Sequence, residues 1–264
     1  PVTVGEKIAH LVGAGPGQVI CCDSISINLF KILSSCLSLN EKRFVILSEL
    51  GNFPTDLYVA QGIERLVGSE LCQLKLVDAK DILSSITDDV GVLLLSHVNF
   101  RDGGMLDMKS ITEQAHKKGA LVVWDLAHSA GVLPIFLDEC GVDFAVGCGY
   151  KYLNGGPGAP SFLYVNQKLQ GMFSQPLQGW MGHESPFDFD SSYRAATGVS
   201  QFLCGTPPIL SLGALDAALD IFADVSVHDL AEKAGLLRDT FLTLLESEKS
   251  LVTLKLQSPR GSIA

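Results

Sequence analysis

Short apolar runs alternate with stretches in which apolar residues recur every three or four positions, and this alternation organises most of the chain. The runs Val19 to Cys22, Phe44 to Ser48, Leu74 to Val77, Gly91 to Val98, Leu121 to Trp124, Phe144 to Val146 and Ser161 to Val165 have the length and branching of buried strands. Between them lie helical patterns. Gly5 to Val12 reads as the tail of an amphipathic helix, and Asp23-Ser24-Ile25-Ser26 opens a helical run that continues through Leu33. Pro54 stands at the first turn of another helix, a short acidic helix is expected around Asp81 and Asp88-Asp89, and Met108 to Lys118 is amphipathic. Strands separated by helices predict an α/β fold, a mostly parallel sheet with helices on both faces, whose ligands collect at the carboxyl ends of the strands.

Beyond Val165 the pattern changes. Gln175 to Gly205 has little periodicity but is rich in Gly, Pro and aromatics, among them Trp180, His183, Phe187, Phe189 and Tyr193. Irregular segments of this length are functional or disordered, and the aromatic content argues for the former. Helical periods return from Pro208 to Phe222 and from Val227 to Leu245, and Leu251 to Leu256 reads as a further strand. The expected division is a large domain over residues 1–220 and the start of a small α+β domain over 221–264.

With 264 residues and 47% hydrophobic positions, the chain is long and apolar enough to bury a large core. Its net charge of −10 comes without a basic cluster, which argues against nucleic acid as a partner. No apolar run is long enough to span a bilayer, because Asp125, His128 and Asp138 interrupt the best candidates. No cleavable signal is seen ahead of the first helix, and an N-terminal part is expected to be missing. The seven cysteines are odd in number, lack C-x-x-C spacing and sit partly inside apolar runs, as reduced thiols of a cytosolic protein do. They offer no zinc site.

Candidate chemistry concentrates between Trp124 and Gly158. One buried strand delivers Asp125, and the next delivers Lys151 between Tyr150 and Tyr152, ahead of the glycine-rich turn Asn154 to Gly158. A carboxylate and an amine, each held at the end of a buried strand, suit pyridoxal phosphate. The lysine carries the cofactor as a Schiff base, and the carboxylate keeps the pyridine nitrogen protonated. Read singly, Asp125 is a helix cap and Lys151 a surface lysine; the small and aromatic residues Cys148, Gly149, Tyr150 and Tyr152 around the amine describe a lined pocket instead. Two glycine-rich loops do not point to nucleotides. Gly13 to Gly17 follows a helix instead of a strand, and in the second loop the lysine precedes the glycines. The serines at the start of the Ile25 helix are ordinary caps, yet they also leave outward N–H groups where a phosphate can sit.

The segments NFPTD (Asn52 to Asp56), WDLAHSAG (Trp124 to Gly131), GYKYLNGGPG (Gly149 to Gly158), GWMGH (Gly179 to His183) and GTPP (Gly205 to Pro208) occur in this order along nearly the whole chain. Together they resemble kynureninase, a fold-type I pyridoxal phosphate enzyme; DLAHSAG alone is shared with cysteine desulfurases. The resemblance implies roles for particular residues. Ile25 and Ser26 would hold the cofactor phosphate, Phe53 would stack on the ring, and Asp56 would be a nearby polar contact. Ser96 and His128 would touch the cofactor, Tyr150 would reach the phosphate, and Trp180 and Thr206 would reach a phosphate across a homodimer interface. Lys151 and Asp125 would be catalytic. His97 is expected to be a satisfied loop histidine.

The implied reaction is hydrolysis of L-kynurenine or 3-hydroxy-L-kynurenine to the corresponding anthranilate and L-alanine, a step of tryptophan degradation and NAD biosynthesis in the cytoplasm. The family's substrate-carboxylate arginine is expected beyond this chain, because Arg260 falls too early to match it. Two other readings stand beside this one: another fold-type I enzyme such as a cysteine desulfurase, and a truncated, non-catalytic protein of the same fold.

Overall fold

A computed structural model describes residues 1–38 and 42–247. The helices are α1 (Val2–Leu11), α2 (Ile25–Leu37), α3 (Pro54–Val67), α4 (Met108–Lys117), α5 (Ile209–Leu219) and α6 (Val227–Ser247). The strands are β1 (Val19–Cys21), β2 (Val45–Glu49), β3 (Gln73–Val77), β4 (Val90–Ser96), β5 (Leu121–Asp125), β6 (Phe144–Cys148) and β7 (Ser161–Val165). They form one seven-stranded sheet in the order β1-β7-β6-β5-β4-β2-β3. From β3 to β6 every pairing is parallel, and β7 is antiparallel to both of its neighbours.

Alternation along the strands explains the layers. In β4, Leu93 and Leu95 face one side with Val122, Trp124, Ile8 of α1, Ile111 of α4 and Leu215 of α5. Val92 and Leu94 face the other with Val123, Val146, Leu29 and Ile32 of α2 and Ile63 of α3. Both faces of the sheet are thus covered, which is why its strands read as continuous apolar runs. Lys7 fastens α1 to α5 through Asp216, at 2.6 Å, and through Asp220, at 2.7 Å.

The pairing also fixes the site. Ser96 lies opposite Asp125 across β4 and β5, and Cys148 opposite Ser161 across β6 and β7. The ends of β4, β5 and β6, the beginning of β7 and the exit of β1 into α2 therefore share one edge.

Three expectations need correction. The acidic helix between β3 and β4 is replaced by two one-turn 3-10 helices, Ala79–Asp81 and Leu83–Ser85, with Asp88 and Asp89 in the turn that follows. Ile82 and Ile86 are buried on either side of the second turn, and local bonds from Ser84 Oγ to Asp81 O and Thr87 Oγ1 to Asp89 Oδ1 compete with a continuous helix. β4 stops at Ser96 because Val98 leaves the ladder to bridge Met105. Asp125 has no helix to cap: the chain after it runs in successive turns through Gly131, whose φ of +89° and close approach to Tyr152 O admit no side chain. The strand expected from Leu251 to Leu256, and Arg260, lie outside the described residues.

Candidate active site

At the shared edge a cavity of about 310 Å³ is lined by Asp23, Ser24, Ile25, Ser26, Phe53, Thr55, Asp56, Asp125, Ala127, His128, Tyr150, Lys151, Ala159 and Ser161. Eight residues expected from the sequence thereby meet in one place: Ile25, Ser26, Phe53, Asp56, Asp125, His128, Tyr150 and Lys151. A larger cleft, about 590 Å³ around His116, Asp138 and Asp143, lies at the opposite edge of the sheet and is remote from them.

Two carboxyls stand at one wall. Asp125 ends β5, is buried, and accepts a hydrogen bond of 2.7 Å from Ala127 N in the turn that follows. Asp56, in the first turn of α3, is wholly buried, and neither of its oxygens meets a hydrogen-bond donor. Burial first, and then the neighbouring charge of Asp125, hold the Asp56 carboxyl well above the usual carboxylate range. Asp125 is also raised by burial, with the Ala127 N–H pulling the other way. Two acids this close cannot both ionise cheaply, so the pair keeps a proton and awaits a positively charged donor.

Facing them is the amine. Lys151 Nζ lies 2.9 Å from His128 Nε2 and 5.9 Å from the ring centres of both Phe53 and Tyr150. Burial and the charge of Lys151 lower the His128 pKa, so its imidazole is neutral and accepts from the amine. The backbone that delivers Lys151 turns tightly, since a side chain on Gly149 would meet Pro160 O at 2.5 Å. Phe53 is buttressed by Phe100, edge to face at 5.3 Å, a partner that no sequence pattern singles out.

The third side is the N-terminus of α2. Ser24 caps it, accepting from Ile27 N at 3.4 Å, and the first helical bond runs from Asn28 N to Ser24 O. The N–H groups of Ile25 and Ser26 therefore precede the helix's own ladder, at the positive end of its dipole.

These features suit pyridoxal phosphate. An anion would fit the α2 N-terminus, a flat ring would fit against Phe53, an aldehyde would fall to Lys151, and a protonated ring nitrogen would meet the negative charge of the Asp125–Asp56 pair. Three expected residues stand elsewhere. Ser96 is buried behind the wall and donates to Asn52 Oδ1 at 2.7 Å, which satisfies its hydroxyl within the protein. Trp180 packs with Phe187 and Phe189 around a separate exposed cleft, and Thr206 is exposed. His97 is not satisfied: its buried Nδ1 has no partner, and burial pushes its pKa down to about 4. Asp23 and Ser24, which belong to the helix-start signal, also line the cavity, as do Thr55, Ala127, Ala159 and Ser161. Thr55 and Ala127 stand inside two of the segments quoted above, but Ala159 and Ser161 carry no signal of a site.

A family model described as aminotransferase class-V matches residues 3–263. The chain is 49% identical over 259 residues to a kynureninase of Deinococcus radiodurans, an alignment that covers 98% of this chain and 62% of the relative. A kynureninase of Burkholderia pseudomallei is 44% identical over 266 aligned positions, covering 99% of this chain and 64% of the relative. The chain thus spans about three-fifths of the length of these curated relatives. Among solved structures, a cysteine desulfurase of Thermococcus onnurineus superposes with a TM-score of 0.77 at 20% identity, over 93% of this chain and 62% of that one. A C-DES mutant with glycine linked to its PLP cofactor superposes with a TM-score of 0.76 at 18% identity, over 88% and 62%. At such identities the two structures speak for the fold alone.

Proposed function

The chain belongs to the class-V aminotransferase family, and from that footing we propose that it is a kynureninase-type hydrolase. Its fold is the fold-type I transferase fold, and its cofactor is pyridoxal 5′-phosphate. The substrate is L-kynurenine or 3-hydroxy-L-kynurenine. The bond between the side-chain carbonyl and Cβ breaks, the hydroxyl of water joins the carbonyl carbon, and a proton joins Cβ, leaving an anthranilate and L-alanine. The substrate choice is carried by the 49% identity to a kynureninase along 98% of this chain.

Bound pyridoxal phosphate supplies an electron-poor ring that stabilises negative charge beside the substrate's amino group. The chain's own groups do the rest. Asp125 and Asp56 would keep a proton at the ring nitrogen. Phe53 would shield the ring from water. Ile25, Ser26 and Tyr150 would hold the phosphate, and so set the substrate near Lys151. The Lys151 amine, 2.9 Å from His128, moves the proton at Cα, with neutral His128 able to receive a hydrogen bond from it.

We infer further that the protein is a cytoplasmic homodimer. The exposed Trp180, Phe187 and Phe189 and the exposed Thr206 are apolar and hydroxyl groups left outside their own cavity, as residues serving a neighbouring copy would be. Residues 1–220 would be the cofactor domain, and 221–264 the start of a small one. The seven free cysteines agree with a reducing compartment.

A desulfurase requires a reactive cysteine near the amine. No cysteine lines this cavity, and burial raises the thiol pKa of Cys148, the nearest in sequence. Kynurenine added to the purified protein with pyridoxal phosphate should give anthranilate fluorescence and an equivalent of alanine. Sulfide from cysteine without anthranilate would overturn the assignment in favour of a desulfurase.

A further inference from the structure

Lys31 is wholly buried, projects from the second turn of α2, and has no part in the mechanism described above. Its Nζ lies 2.5 Å from Asp23 Oδ2, 2.5 Å from Phe202 O and 3.4 Å from Asn28 Oδ1, so each of its three protons has an acceptor. An ammonium in such a place costs much free energy unless a charge answers it, and among the described residues Asp23 does so.

Asp23 is itself unusual. Its φ of +49° puts a non-glycine residue in the left-handed region. Its backbone O accepts from Ser161 N at 3.0 Å. The carboxyl is part-exposed, and Asp23 lines the cavity next to Ser24, Ile25 and Ser26. A bare carboxylate there would face a phosphate dianion across a small cavity and repel it.

We propose that Lys31 is a positioning residue for the cofactor phosphate, cancelling the charge of Asp23 from behind and drawing its side chain back so that the α2 N-terminus faces the anion. The contact with Phe202 O also ties α2 to the 198–202 turn, which leads to Thr206. The inference rests on the cofactor reading above. It goes beyond that reading by assigning a role to two residues that need not touch the cofactor.

The test compares pyridoxal 5′-phosphate with pyridoxal, which offers the same aldehyde to Lys151 but carries no phosphate. Dissociation constants are measured by absorbance titration on the purified protein and on Lys31→Met, Asp23→Asn and the double variant. Lys31→Met should weaken pyridoxal phosphate about tenfold or more while leaving pyridoxal within about twofold. The double variant, with both charges gone, should recover most of the lost phosphate preference. Asp23→Asn alone keeps a side chain that tolerates positive φ and leaves the Lys31 charge unanswered behind the α2 N-terminus. Its preference for pyridoxal phosphate over pyridoxal should exceed that of the unaltered protein, and this arm decides the matter if Lys31→Met does not fold. Parallel weakening of both ligands in Lys31→Met, no recovery in the double variant, or an unchanged or lower preference in Asp23→Asn would overturn the proposal while leaving the cofactor reading intact. Failure of the unaltered protein to bind pyridoxal phosphate overturns both.

Discussion

Single residues in this protein are informative where burial and charge conflict. Neither oxygen of Asp56 meets a donor, and beside Asp125 it holds its proton tightly. For a carboxyl whose folded pKa is raised, the folded state binds the proton more strongly than the unfolded chain does. Its contribution is favourable below the unfolded pKa, about 3.9, and is lost as pH rises through the folded value. Asp56→Asn should therefore flatten the fall in stability of the cofactor-free protein as pH rises above 4, read from urea midpoints across a pH series. An unchanged slope would place the raised acid elsewhere. His97 has the opposite sign. With its pKa pushed from 6.5 to about 4, it contributes stability that is present above about 6.5 and lost as pH falls through 4, roughly 3 kcal/mol in all. His97→Gln should remove that acid-side loss in the same series, whatever it costs in packing. With cofactor present, Asp125→Asn should lower kcat about a hundredfold or more, with a smaller effect on cofactor affinity, since it removes charge stabilisation at the reacting ring.

At the scale of elements, the sheet and most helices were legible because fully buried strands leave apolar runs and α2 announces itself by its serines. Ser161 to Val165 matches β7 residue for residue, and Lys151 and Asp125 were placed at one edge because each follows the end of a buried apolar run. What was not legible depended on contacts distant in sequence. Ser96 looks like any hydroxyl at a strand end, and only the fold reveals that Asn52, 44 positions away, satisfies it. The acidic segment after β3 has helix-compatible composition but spends its hydroxyls on local bonds. α1 illustrates a dependence that periodicity cannot disclose. A Cβ on Gly5 would lie 2.3 Å from Val19 O, so α1 presses directly on β1, the edge strand that leads into Asp23. Gly5→Ala should cost about 1–3 kcal/mol in urea unfolding and weaken pyridoxal phosphate binding along with it. Loss of stability with unchanged affinity would mean that β1 does not set the position of the α2 N-terminus.

For the whole molecule, the cavity is lined without the aromatic and hydroxyl groups of the 175–206 segment, which stand outside it. If those groups serve a second copy, two inactive proteins should complement each other. Mixing Lys151→Ala with Trp180→Ala under conditions that allow subunit exchange should restore about a quarter of the unaltered activity, because half the dimers carry one intact site. No recovery, with mixed dimers demonstrated by mass, would confine Trp180 to its own chain. The central claim is narrower: the amine of Lys151 is the group that takes the cofactor aldehyde. Borohydride reduction of the protein with pyridoxal phosphate, followed by peptide mass mapping, tests it most directly. The label should fall on Lys151 alone and vanish in Lys151→Ala; a label on Lys31 or any other lysine, or none at all, would contradict the account.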